Sequence, residues 1–135
     1  MMRIILFYIG IAITMMTGCG QPSGNKTNSE DIMKLGSQLY LRSGCNVCHS
    51  LNGSDVYGPP LNDIYKKKIT VVRKGREIEL TADRKYIKRA IVDPRYEKVI
   101  EYRNRDMPIT SLSDEDAELL VDYLIELNMK HAAGR

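Results

Sequence analysis

Residues 43–53 read SGCNVCHSLNG and hold two of the three cysteines and one of the two histidines of this chain. Few chemistries need two thiols and an imidazole so close together. A thioredoxin-like dithiol wants a strand before the pair and a helix after it, the reverse of the order the flanking residues suggest. A structural zinc site wants four ligands, and the domain adds only the near-terminal His131 to Cys45, Cys48 and His49. A disulfide between residues three apart would leave His49 without a role. The pattern C-x-x-C-H instead suits covalent attachment of one c-type haem, with Cys45 and Cys48 adding to the two vinyl groups and His49 ligating the iron.

Such an iron keeps one side open unless the chain supplies a sixth ligand. Met33 precedes the cysteine pair on a helix, and Met129 lies at the end of the last one. Met107, within RDMPI, stands 58 residues after His49 in an irregular segment that can fold across a haem, and Pro108 stiffens the backbone beside it. A lone methionine is commonly core filler. The flanking charges and proline set Met107 apart, and it is the expected distal ligand. His131 is the rival, but it sits among Ala, Ala and Gly, and residues 131–135 are expected to fray. A His/Met pair saturates the iron and favours its reduced state relative to two nitrogen ligands, so a substrate site is not expected.

The elements that position these residues are legible as periodicities. Over residues 30–42, Ile32, Leu35, Gly36, Leu39 and Tyr40 fit a helix with one buried face, ending near Gly44. Asn52-Gly53 and Gly58-Pro59-Pro60 mark turns, and residues 61–67 suggest one or two helical turns. The β-leaning runs 69–72 and 77–80 around Lys74-Gly75 predict a hairpin. Thr81 is the expected cap of a helix over 82–92 with Tyr86, Ile87, Ala90 and Ile91 on one face, stopped by Asp93-Pro94. Residues 95–110 are expected to be irregular. Ser113 begins a last helix, with Ala117, Leu120, Val121, Leu124 and Ile125 at helical spacing.

Length and composition allow one domain with one core: 135 residues, 43% hydrophobic and 27% charged, without tryptophan. A large apolar prosthetic group would help to fill so thin a core. The first residues are a separate object. Residues 4–16 form a 13-residue largely apolar run after Arg3, short for a membrane span and suited to an export signal. Met16-Thr17-Gly18-Cys19 resembles a lipobox, so residues 1–18 are expected to be cut away and Cys19 lipidated, with an uncleaved N-terminal anchor as the alternative. Residues 19–29 are polar and read as a tether, leaving a domain over residues 30–130 anchored to a bacterial cell membrane and facing the periplasm or extracytoplasmic space. Residues 66–105 carry 14 Lys and Arg against 6 Asp and Glu, whereas residues 106–126 carry 7 acidic residues and no basic one. This segregation suits either orientation on a partner or two solvated faces. Nucleic acid is not an expected partner.

Gly36 and Tyr40 ahead of CNVCH, then GPPLN, DMP, and Leu120 with Tyr123 make the chain resemble class I cytochrome c. The resemblance implies a mainly α fold of three to five helices around one haem c, here with a small β-hairpin insertion. It also implies close crossing of the first and last helices at Gly36 and Tyr123, and a backbone carbonyl at Pro59 orienting His49. The motifs YGPPLNDIY and TADRKYIKRAIVDP resemble most the cytochrome c domain fused to subunit II of some haem-copper terminal oxidases, although no copper-binding domain accompanies them. The implied role is a one-electron carrier between a quinol-oxidising complex and a terminal oxidase or reductase. Its partners would be redox proteins and a membrane. The alternatives are a fixed subunit of such a complex and a haem enzyme or sensor with an open distal site.

Overall fold

The computed structural model describes residues 28–134. Helix α1 spans Ser29–Arg42: Asn28 caps it by accepting from the Asp31 N–H at 2.8 Å, and Glu30 and Asp31 suit its positive end. Its buried residues are Gly36, Leu39 and Tyr40. Leu35, expected on that face, is 46% exposed, because it lies about 100° round the helix from Gly36. Across this face runs helix α4, Asp114–Ala133, whose Ser113 accepts from the Asp116 N–H at 3.0 Å. A Cβ at Gly36 would overlap that of Tyr123 and come within 2.7 Å of its Cγ, so only glycine permits this approach. Tyr40 and Tyr123 pack with ring centroids 6.1 Å apart. The last helix continues through Ala133, so His131 stands exposed on its final turn and not in a frayed end. Ala132 and Ala133, strong helix formers, extend it.

After α1 the backbone turns at Gly44, φ 73°, into α2, a single turn over Cys45–Cys48. Residues 61–67 form turns and not the expected helix. In a helix the Tyr65 N–H would bond the Leu61 carbonyl. Here the buried Asn128 takes both groups: its Oδ1 accepts from Tyr65 N at 2.8 Å and its Nδ2 donates to Leu61 O at 2.7 Å. One carboxamide replaces one helical hydrogen bond, and the loop is stapled to α4.

The hairpin pairs β1, Lys68–Arg73, with β2, Arg76–Thr81, through Lys74 and Gly75 at φ 50° and 76°. Both signs match the two-residue type I′ turn. A third strand, β3 (Lys98–Val99), joins the other edge of β1 with Val71 opposite Val99, and a 3-10 turn, Ile100–Tyr102, follows it. The hairpin is therefore anchored on both sides of a fully buried Val71, and the segment expected to be irregular is partly ordered by that pairing. Helix α3, Arg84–Val92, starts two residues later than expected: Asp83 caps it, accepting from Tyr86 N at 2.8 Å, while Thr81 finishes β2.

The basic and acidic stretches are not segregated in space. Arg84 pairs with Glu118 and Asp122, and Lys88 with Asp114 and Glu118, both at 2.7 Å, so α3 and α4 are zipped together by opposite charges. Among the described residues no helix is long and apolar enough to cross a membrane. The apolar run 4–16, Cys19 and most of the polar stretch lie outside them.

Candidate functional site

Between α2, α3, α4 and the segment after the 3-10 turn lies a cavity of about 1170 Å³, solvent at its mouth included. Its lining takes Cys45, Cys48, His49 and Pro59 from α2 and the following loop, and Met107 from the far segment. Leu61, Ile64, Ile87, Leu120 and Leu124 add apolar surface.

The two thiols stand at the ends of one helical turn, and neither is in a disulfide. Burial pushes the Cys45 thiol up, its own backbone hydrogen bond opposes this, and Cys48 adds to the rise. His49 follows with an extended backbone, its N–H donating to the Cys45 carbonyl at 2.9 Å. Its Nδ1 lies 2.8 Å from the Pro59 carbonyl. A carbonyl only accepts, so Nδ1 carries the proton and Nε2 keeps a lone pair for a metal.

Two residues that sequence reasoning did not single out as site residues hold this histidine. Gly58 has its N–H 2.6 Å from the Cys48 carbonyl, and a Cβ there would lie 2.6 Å from His49 Cε1. Tyr40 donates its hydroxyl to the His49 carbonyl at 2.6 Å. Burial above all, then Cys45 and Tyr123, pushes that phenol up to about 12, so it stays a donor. The GPP string pointed to a turn at 58; nothing local announced the Tyr40 contact.

Glu97 was also missed. Its side chain is 1% exposed and lines the cavity. Arg73 donates to one of its oxygens through Nε at 2.9 Å and Nη2 at 2.6 Å, and Arg89 to the other through Nε at 2.9 Å and Nη2. Both guanidiniums lie on the Tyr96 ring, at 5.1 and 4.7 Å from its centroid. A buried carboxylate with two such partners ties β1 to α3 at the cavity wall.

The donor set fits covalent haem c. Two thiols one turn apart, followed by an imidazole whose Nδ1 is fixed by a carbonyl, are what that group requires, and Met107 lines the same largely apolar cavity. A zinc site is not supported, since among the described residues no three His, Cys, Asp or Glu side chains are grouped to hold a metal ion. His131 is not among the cavity residues.

Comparison with known proteins agrees with this chemistry. The family model described as Cytochrome c matches residues 33–128, most of the chain. No curated protein matches it. The chain belongs to the cytochrome c family; its cofactor is covalently attached haem c, and its class of activity is electron transfer with redox protein partners.

Proposed function

We propose that this cytochrome c domain is a one-electron carrier whose iron is held between His49 and Met107, working outside the cytoplasm on a membrane tether. The observation that carries the reading is that His49, with Nδ1 on Pro59, and Met107 line one largely apolar cavity. Haem c supplies the chemistry, a single electron stored and released by its iron.

The chain's residues do the rest. Cys45 and Cys48 hold the group by thioether bonds, so it is not lost between partners. The Pro59 carbonyl fixes the His49 tautomer and raises its basicity. Leu61, Ile64, Ile87, Leu120 and Leu124 exclude water, which limits reorganisation when the charge changes. With His49 and Met107 both holding the iron, the site would leave a substrate no place to bind.

The anchoring belongs to the same proposal: cleavage before Cys19, lipidation of its thiol, and residues 19–29 as a tether that keeps the domain concentrated near a quinol-oxidising complex and a terminal oxidase or reductase. A Cys19→Ser variant should then leave the membrane fraction, and one that stays would remove lipid as the anchor. The motif likeness to the domain of oxidase subunit II supports a second reading, a fixed subunit. In gently solubilised membranes a carrier migrates alone, whereas migration of the haem band with an oxidase would favour the subunit.

The closed site is tested by carbon monoxide. The reduced protein is expected not to bind it at equilibrium, and ready formation of a carbonyl complex would mean an open distal site and a sensor or enzyme instead.

A further inference from the structure

Arg105 is an exposed side chain, yet its guanidinium is engaged by two backbone carbonyls and two aromatic rings. Its Nη1 donates to the carbonyls of Val56 at 2.9 Å and Tyr57 at 2.6 Å. Its central carbon lies 5.7 Å from the Tyr57 ring centroid and 5.1 Å from that of Tyr102, within cation–π range of both. Neighbouring bonds point the same way. The Asp106 N–H donates to the Tyr57 hydroxyl at 3.2 Å, and Tyr102 donates to Asp55 at 3.4 Å. On its own segment the Arg105 N–H is tied to the Tyr102 carbonyl at 3.0 Å, and Lys98 holds Asp106 at 2.5 Å.

These contacts join two stretches more than 40 residues apart in sequence, and neither Val56, Tyr57 nor Arg105 lies in a helix or strand. One stretch leads from Tyr57 straight into Gly58 and Pro59, the residues that seat His49. The other leads from Arg105 to Met107. We infer that Arg105 is a positioning residue that fastens the Met107 segment to the loop that orients His49, and so holds the cavity closed. What it does for ligation rests on the His49/Met107 reading; the fastening itself does not.

Arginine is the side chain for this task. A planar guanidinium donates to two carbonyls while stacking on rings, whereas a lysine ammonium is a point charge that keeps its hydration. Arg105→Lys is therefore expected to rescue only part of the effect of Arg105→Leu.

The test uses the holoprotein with Arg105→Leu, Arg105→Lys and, as control, Arg103→Leu, which removes a donor only to the Ile100 carbonyl of its own turn. Two readouts are taken: amide exchange over residues 54–58 and 100–108, and the rate at which imidazole binds the oxidised protein. In Arg105→Leu exchange in both segments is expected to rise on the order of tenfold, the low end for charged hydrogen bonds once solvent screening is allowed for. Imidazole should bind faster by a similar factor, and Arg103→Leu should change neither. Unchanged exchange over residues 54–58 in Arg105→Leu would overturn the fastening. Faster exchange in both segments, with imidazole binding already rapid in the parent, would support the fastening and overturn ligation by Met107.

Discussion

The backbone of Gly58 lies against the imidazole of His49, so close that a Cβ would stand 2.6 Å from Cε1 and 2.9 Å from Nδ1. The same residue donates to the Cys48 carbonyl at 2.6 Å, which leaves it no room to retreat. The ring is thus confined by the Gly58 backbone while the Pro59 carbonyl accepts the hydrogen bond from its Nδ1–H.

Gly58→Ala tests that grip. The thiols are untouched, so haem should still attach, but the ring must tilt off the Pro59 carbonyl. Overpacking of this kind costs about 1–3 kcal/mol, to be read as a lower urea midpoint of the holoprotein. The His49 Nδ1 proton should exchange faster with solvent. An unchanged midpoint together with a slow proton would contradict the geometry.

Asn128→Leu should unstaple the loop between the cavity and α4. The variant leaves Leu61 O and Tyr65 N without their partner and removes the bond from Nδ2 to Leu124 O at 2.8 Å. A loss of about 2–4 kcal/mol is expected from two orphaned backbone groups. The Tyr65 amide should lose its exchange protection first. If instead residues 61–65 relaxed into a helical turn, the Tyr65 amide would stay protected and the cost would be small.

Alkaline stability should carry the signature of buried phenols. Burial, then Glu97, pushes Tyr86 up to about 12, with Arg89 pulling the other way. The unfolded chain ionises this group near pH 10. Below pH 10 both states hold the proton, so its contribution is complete; between about 10 and 12 only the unfolded state releases it, and stability falls by up to about 1.4 kcal/mol per pH unit. Tyr86→Phe should therefore make the decline of the urea midpoint above pH 10 shallower. An identical slope in the variant would remove Tyr86 as a cause.

The sequence announced local features and concealed those made by distant partners. The C-x-x-C-H spacing, most of the buried faces of α1 and α4 and the hairpin around Lys74-Gly75 are all written in residues within a few positions of one another. The turn at 61–65 is not, because the side chain that diverts it comes from Asn128. Strand β3 has only two residues, and their pairing with Val71 and Val72 cannot be seen from either segment alone. Thr81 and Asp83 are both able to cap a helix; the choice fell to Asp83 because Thr81 is paired with Lys68 in the sheet. Charge counts separated a basic middle from an acidic end, whereas the fold lays Arg84 and Lys88 onto Asp114, Glu118 and Asp122. Glu97 gave no sign of burial, since only the joint arrival of Arg73 and Arg89 makes a buried carboxylate tolerable there. The cavity residues Cys45, Cys48, His49, Pro59 and Met107 were named from spacing and likeness, and the fold brings all five to one place.

The most direct measurement is the absorption spectrum of the oxidised holoprotein beside that of Met107→Ala. The account predicts a low-spin parent with a weak long-wavelength band from sulfur to iron, and loss of that band in the variant while the haem stays covalently attached. A high-spin parent, or a band that survives the substitution, would contradict His49/Met107 ligation and with it the closed-site electron carrier.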